Sequence, residues 1–487
     1  MGKLGTCSVL AIDAGGEGGK SWSVPYFLWS VPYFLGAGLV YLMGFYPPVA
    51  ANIHDVQRFF VSAVLAAALL GVSGVARGAQ LGWLLALVAV TGLATVWHPS
   101  PTGAALYLSW LGLLACGWYV YRKAGAQPQR VQRLWLWVAA GMALAYAVRT
   151  GAAIAAAVPQ QEVLLAEIFL GFGHLRHFAQ LIPLLLPVLA FGCLPSSTAP
   201  MSRAYRPLAM LALLGWCILL WLNGSAGAFY GSLIGVAFAV AIAGWERSRP
   251  LVLSVLLAGV AAVLVILGLD YFVPLIGEIA QSARVEDSGR LVIWADTFRA
   301  LMAQPLLGWG PDRFPAVVDA RPAHPHNAEL AFAMDFGLIA LALLLVVMWR
   351  WFSPVRLARR IRAMPAAGAQ WPVALTAAAF GGLAHAQVSG VTVMPLAQLV
   401  LAITLSLLLA SVAEGPLVLS YRRAGRVMGG VVGVALAVAV LASALLHPCG
   451  FRAGRDVSCS ITPAFWAQYP KSKSLGAMGA TEDNRGP

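Results

Sequence analysis

Between about residue 26 and about residue 446 the chain alternates long apolar runs with short polar breaks. A bilayer core of roughly 30 Å needs about 20 apolar residues per helix. That rule predicts spans near 26–46, 58–76, 78–97, 102–121, 134–156, 178–194, 208–222, 226–245, 250–269, 328–350, 372–388, 395–412 and 427–446. The runs are rich in Leu, Ala and Gly and lack the short apolar–polar alternation of an outer-membrane barrel. The expected fold is all-α, a polytopic transmembrane helix bundle of about 12–13 spans with one large loop containing short amphipathic helices. Its segments are an N-terminal stretch 1–25, an N-terminal bundle 26–269, the loop 270–327, C-terminal helices 328–446 and a short tail 447–487.

Composition agrees with this reading. Of 487 residues, 60% are hydrophobic and 10% charged, and the mean hydropathy is +0.79. A soluble protein of this length carries far more charge on its surface. The net charge of +13 reports topology rather than nucleic-acid binding. Basic residues recur in every second loop: Arg122, Lys123, Arg130 and Arg133; Arg203 and Arg206; Arg247 and Arg249; Arg350, Arg356, Arg359, Arg360 and Arg362; Arg422, Arg423 and Arg426. All share one face, which the positive-inside rule makes cytoplasmic. The N-terminus is then cytoplasmic, and the loop 270–327 and the tail from His447 face the opposite, periplasmic or extracellular, side.

No cleavable signal sequence is expected, because the first twenty residues are polar and Gly-rich. The tandem WSVPYFL at 22–28 and 29–35 has no physical explanation. Cys449 and Cys459 are the only closely spaced cysteines, and in an oxidising compartment they are placed to close a small disulfide loop. Cys7, Cys116, Cys193 and Cys217 are scattered, mostly inside spans, where a lone cysteine is a small apolar residue. No Cys/His spacing suits zinc.

The large loop holds five arginines (Arg284, Arg290, Arg299, Arg313, Arg321), seven acids and no lysine. Arginine used without lysine suggests bidentate contacts, either to the loop's own carboxylates or to phosphate oxygens. Within it, apolar positions at 291, 294, 298, 301 and 302 predict an amphipathic helix, with Asp287 or Ser288 as its N-cap, lying along the membrane surface. Gln304-Pro305 stops that helix, and Gly308-Trp309-Gly310-Pro311 makes a tight turn.

Residues 324–330 read HPHNAEL and lead directly into the apolar run AFAMDFGLIALALLLVVMWR. His326 therefore sits where membrane meets water, at a helix N-terminus that favours negative charge. Imidazole is the side chain best suited to accept a proton near neutral pH. Asn327 and Glu329 are close enough to orient or tune it. The plainer alternative is a capping turn in which His326 does no chemistry.

At this point the residues resemble a known group. SGRLVIWADTFRALMAQPLLGWGPDRF followed by HPHNAELAFAMDFGLIAL resembles the signature region of the O-antigen ligase and polymerase superfamily. That region pairs an Arg-x-x-x-Trp helix with a Pro-Leu-Leu-Gly-x-Gly turn and a His-x-His-Asn turn opening a helix that carries Gly-Leu-Ile. GFGHLRHFAQLIPLLLPVL (171–189) and HAQVSGVTVMPLAQLVLA (385–402) are also similar to members of the group. The resemblance implies a glycosyltransferase of the bacterial inner membrane, independent of metal and cofactor. It moves a glycan from undecaprenyl diphosphate to an acceptor on the periplasmic face.

The acceptor is lipid A–core oligosaccharide in ligases, a repeat unit in polymerases and a protein side chain in pilin-type transferases. His326 matches the histidine that activates the acceptor hydroxyl, and Arg290 the loop-helix arginine that holds diphosphate. Arg176, Arg284 and Arg313 are further candidates for the diphosphate, with His324, Asn327, Arg321, Glu329 and Asp335 in support. One departure stands out: where many members have Ser-Arg-Gly at a mid-chain hairpin, this chain has Asn223-Gly224-Ser225-Ala226-Gly227.

The residue types fit the implied chemistry. A polyprenyl diphosphate leaves readily, so the protein needs cations at the departing group and a base for the incoming hydroxyl. A single displacement needs one base; a retaining route would want a carboxylate such as Asp319 or Glu329. Asp335, about two turns into its span, calls for a wet cavity or a partner. His385, Gln387 and Gln398 either line the same cavity or hydrogen-bond between helices, and His174 and His177 bracket Arg176.

The alternative from a different class is a lipid-linked glycan flippase or transporter. No inverted repeat is visible and intramembrane charges are few, so a transferase is the better reading. Ligase ranks first, then polymerase, then protein transferase, since the short tail offers no sizeable acceptor-binding domain. The expected partners are the lipid-linked donor, the acceptor and membrane lipids, with no nucleic acid.

Overall fold

The computed structural model describes residues 79–99, 101–157, 175–194, 205–272, 289–318 and 324–413. The expected spans 26–46, 58–76 and 427–446, the tandem repeat, His174, Arg284, Asp319, Arg321 and the pair Cys449 and Cys459 lie outside the described residues. Among the described residues all regular structure is helical: α1 Ala79–Trp97, α2 Pro101–Ala126, α3 Pro128–Ala157, α4 Leu175–Ala179, α5 Ile182–Gly192, α6 Tyr205–Asn223, α7 Ala226–Ala243, α8 Trp245–Phe272, α9 Arg290–Ala303, α10 Phe314–Val317, α11 Ala328–Phe352, α12 Pro354–Ala363, α13 Ala366–Ala386 and α14 Pro395–Ser411. Among the described residues five stretches, Pro128–Ala152, Tyr205–Asn223, Ala226–Ala243, Trp245–Tyr271 and Ala328–Ala363, are long and apolar enough to cross a membrane, and shorter apolar helices accompany them. The chain is a multi-pass membrane protein.

Helix α5 is the axis of the bundle. All its residues from Ile182 to Gly192 are buried, with Pro183 and Pro187 among them. The single span expected at 178–194 is instead two helices, broken at Gln180–Leu181 where Pro183 removes a backbone donor. Around α5 the core is aromatic and small: Tyr146 stacks on Phe178 at 4.2 Å, and Phe178 meets Trp216 edge-on at 5.1 Å. Cys116, Cys193 and Cys217 are buried within it as small apolar groups.

Helices α7 and α13 touch backbone to backbone. A Cβ on Gly235 would collide with the Ala377 carbonyl and stand 2.7 Å from Gly381 Cα, and one on Gly231 would stand 3.0 Å from the Gly381 carbonyl. Where lipid supplies no hydrophobic drive, such close approach through small residues is what holds helices together. Helix α8 is the opposite case, with Leu256, Leu257, Val260, Leu264 and Leu267 exposed, as a lipid-facing helix requires.

One end of the bundle is basic. Arg362 donates to the carbonyls of Ala241 and Ile242 at the end of α7, and Arg247 to those of Arg362 and Met364. Arg360 donates to Val412 at the end of α14, Arg356 to Trp349, and Arg206 to Cys193 at the end of α5. The guanidinium groups thus neutralise the carbonyl ends of the helices that finish there. Since α7 and α11 run toward this end and α13 away from it, the HPHN turn lies at the other.

Candidate functional site

The site rests on a joint between two sequence stretches. Helix α11 bends at Gly337, whose φ of 82° and ψ of 173° suit only glycine. In a straight helix the carbonyl of Met334 would accept from Leu338 and that of Asp335 from Ile339. Here the turn after α9 supplies replacements: Trp309 N donates to Met334 O at 2.8 Å, Gly310 N to Asp335 O at 3.0 Å, and Leu338 N to Pro305 O at 2.7 Å. Gly308 and Gly310, both at positive φ, let the turn come that close; a Cβ on Gly308 would stand 2.6 Å from Met334 O. The PLLGWG turn and the Gly-Leu-Ile stretch are therefore two halves of one contact.

Upstream of the bend, Asn327 caps α11 by accepting from Leu330 N at 2.9 Å. His326 has a left-handed backbone, φ 55°, uncommon for a residue with a side chain. Two contacts hold it. Its own N–H donates to Nδ1 of His324 at 3.2 Å, with the two rings 4.1 Å apart. Trp294 of α9 donates from Nε1 to the carbonyl of Pro325 at 2.8 Å.

Removing that indole donor while keeping an aromatic ring isolates its contribution. Trp294→Phe is expected to slow glycan transfer about tenfold, equivalent to about 1.4 kcal/mol, with little change in thermal stability. Rate and melting point measured on the same purified protein check it, and an unaltered rate would show that the turn holds without Trp294.

His324 is buried, and its ring lies against Gly390, where a Cβ would stand 2.8 Å from Cε1 and 2.9 Å from Nε2. Burial, then the neighbouring His326 and His177, hold its pKa well below the ordinary 6.5, so it is neutral at pH 7. A neutral Nδ1 can accept the His326 N–H; a protonated one cannot. The stability this contributes is full above pH 6.5 and is lost as pH falls toward the depressed value, because the unfolded chain binds the proton first. Melting points taken from pH 8 down to pH 5 should fall below about 6.5, and His324→Gln should make that fall shallower. Equal slopes in the two proteins would rule out His324 as the group responsible.

The turn between α13 and α14 reaches every part of this site. Gln387 donates from Nε2 to Glu329 Oε1 at 2.9 Å, and its backbone and side-chain oxygens accept from Asn327 Nδ2 at 3.3 and 3.4 Å. Ser389 accepts from Gln180 Nε2 at 3.2 Å, and Gly390 seats His324. Gln180, Ser389 and Gly390 lie inside the two further segments similar to the family, 171–189 and 385–402, but were not singled out as site residues. Gln387 makes the interhelical hydrogen bonds expected of it, whereas Gln398 serves its own turn by donating to the carbonyl of Thr392.

The remaining candidates divide. Arg290 opens α9 and acts electrostatically on His385 at the end of α13. Arg176 lies in α4, next to His177, whose charge reaches His324. Arg313 is drawn elsewhere, donating to Pro99 O at 3.0 Å in the α1–α2 connection. Arg299 pairs with Asp296 at 2.6 Å on the surface, the internal pairing allowed for above. Asp335 meets the charge of Asp312. The helix expected to be amphipathic starts one or two residues later than the Asp287 or Ser288 cap implied, with left-handed Gly289 at its N-cap. Its apolar positions split between two faces: Leu301 is buried, while Leu291, Phe298 and Met302 are exposed.

Comparison with known proteins agrees with the motifs. No curated protein matches the chain. Residues 208–345, from α6 through the bend of α11, match the family model described as O-Antigen ligase. His177 of α4 and the α13–α14 turn lie outside the match, yet reach the same site. Over residues 208–345, then, the chain is similar to the O-antigen ligase family, and the resemblance its motifs carry is borne out there.

Proposed function

We propose that this protein is a membrane glycosyltransferase that moves a glycan from undecaprenyl diphosphate to an acceptor on the periplasmic face of the bacterial inner membrane, and that its reaction is O-antigen ligation to lipid A–core. The observation that carries this reading is the convergence of the HPHN turn, the Arg290 end of α9 and His177 of α4 at one end of the bundle. The basic end opposite it faces the cytoplasm by the positive-inside rule, which puts the site outside.

In the reaction the acceptor hydroxyl attacks the anomeric carbon. The bond from that carbon to the diphosphate oxygen breaks, and the hydroxyl proton passes to His326. Arg290, with Arg176 and Arg284, stabilises the charge that develops on the departing diphosphate. Arg313 is held by the Pro99 carbonyl in the α1–α2 connection. Glu329 is tied to Gln387, which suits a positioning role better than nucleophilic attack.

The test is expression in a bacterium that lacks its own O-antigen ligase but still makes undecaprenyl-diphosphate-linked O-antigen. A full lipopolysaccharide ladder on a gel is the expected outcome. Bare core from well-expressed protein would exclude ligation to that core and bring forward repeat-unit polymerisation or pilin glycosylation.

A further inference from the structure

The basic end of the bundle holds a cleft that the reaction above does not use. It encloses about 790 Å³ between α1, α11 and α13, and Trp83, Leu345, Trp349, Arg350, Pro354 and Phe380 are among the residues that line it. That volume falls within the roughly 300–1,000 Å³ of a small-molecule site. One wall is fixed by the close approach of α7 to α13. Gly235 lets the two backbones meet, and Phe238, three residues on, stacks on Phe380 at 3.8 Å. Trp83 and Trp349 are 38% and 62% exposed beside the cleft, as tryptophans at a membrane–water boundary are.

Charge marks the rim. Arg350 is the one charged residue in a lining that is otherwise apolar. It is exposed and makes no hydrogen bond or ion pair among the described residues. The carbonyl end of α11 does not occupy it, because Arg356 already donates to the Trp349 carbonyl there. Nor does a carboxylate: no Asp or Glu occurs from Leu338 to Ala413, while this corner carries Arg350, Arg356, Arg359, Arg360 and Arg362. Leu345 lies about 7 Å further into the bundle along α11 than Arg350, roughly half the hydrocarbon depth of one leaflet. An apolar cleft below a guanidinium that has no acid to pair with suits a lipid whose chain is apolar and whose headgroup is anionic.

We propose that this cleft binds an anionic glycerophospholipid of the leaflet at the basic end. Its acyl chain lies along Leu345 and Phe380, and its phosphate accepts hydrogen bonds from Arg350. The positive-inside rule makes that leaflet cytoplasmic. The site is thus at the end opposite the HPHN turn, and the lipid is neither donor nor acceptor in the transfer proposed above.

The full chain is placed in phosphatidylcholine nanodiscs that contain a small fraction of phosphatidylglycerol with a photoreactive group in its acyl chain. Labelled peptides are read by mass spectrometry, and melting points are recorded. Wild type should carry the label on residues 345–354, and unlabelled phosphatidylglycerol should compete it away where added phosphatidylcholine does not. Arg350→Gln should lower that label about fivefold, equivalent to the about 1 kcal/mol that one guanidinium contributes at an anionic lipid surface. Arg350→Lys keeps the charge and should keep most of the label. Arg133→Gln, on α3 at the same end but outside the cleft, should leave it unchanged. Leu345→Trp narrows the cleft with the charge intact and should also lower the label.

A label unchanged in Arg350→Gln, or competed equally by phosphatidylcholine, would identify ordinary boundary lipid and overturn the proposal. Label on the lipid-facing α8 with none on 345–354 would overturn it as well, and would point to the chain's own segment 58–76 as the occupant. Should Leu345→Trp fail to fold, the Arg350 variants and the competition on wild type decide.

Discussion

Gly337→Ala is expected to remove most of the folded protein from the membrane. The new Cβ would collide with the carbonyl of Leu306, in a backbone conformation that only glycine adopts readily. Backbone strain of this kind costs about 1–3 kcal/mol by itself. Relieving the clash means pulling the 305–310 turn off the bend, which breaks the three hydrogen bonds that replace the helical ones there. Each contributes about 1 kcal/mol in water, and its loss is more costly where no water can substitute. The sum, several kcal/mol, is comparable with the whole stability of an ordinary domain, about 5–15 kcal/mol.

Size-exclusion chromatography of detergent extracts, with immunoblots for total protein, measures the loss. Leu338→Ala is the control, because Leu338 is 41% exposed on the same helix and should behave as wild type. A well-expressed Gly337→Ala protein with a melting point near wild type would show that the bend tolerates a side chain and that the joint is not structural.

The largest effect on activity is expected at His326. Losing a general base slows a reaction about 10²–10⁴-fold, so the lipopolysaccharide ladder should disappear in His326→Ala. The left-handed backbone of His326 makes a sharper comparison possible. Gly relieves any strain at such a position and Asn tolerates it. His326→Gly and His326→Asn should therefore melt at or above the wild-type temperature and still make no ladder. Strain retained at one residue, with its release abolishing the reaction, is the pattern expected where function dictates the conformation. A ladder from either variant at equal expression would remove His326 from catalysis and leave the HPHN turn as a helix cap.

The difference between these two residues shows what can be read from sequence and what cannot. The HPHN turn was legible because its chemistry is local: two imidazoles, a capping Asn and an apolar run are adjacent in the chain. Gly337 was legible only as part of a resemblance. Its partner, Leu306, lies in a turn thirty-one residues earlier, and nothing in the spacing says that the two interlock. The glycines Gly227, Gly231 and Gly235 carried a usable signal, since a four-residue repeat of small residues marks a helix that packs closely. Which helix it packs against was not in that signal.

The arginines divide in the same way. Their use without lysine pointed to guanidinium chemistry, but composition could not assign partners. Arg299 found Asp296 three residues away, a local pairing visible in the sequence. Arg313 found the Pro99 carbonyl, across more than two hundred residues, and the charge of Arg290 is felt at His385 in a helix outside the loop. Helix α9 forms where the apolar spacing expected a helix, yet its apolar positions are divided between a buried and an exposed face. Near a membrane, exposure to lipid and burial in protein select the same side chains, so periodicity alone cannot separate the two faces.

From the sequence alone came the helical class, the membrane, the basic end and the HPHN turn, because hydropathy, charge and capping act over a few residues at a time. The tertiary structure alone decided that the α13–α14 turn is the hub of the site, that α11 must bend to receive the PLLGWG turn, and that His324 is held neutral beneath His326. Those depend on which backbones come close enough to exchange hydrogen bonds and exclude solvent, and close approach is a property of packed helices that no single stretch of chain contains.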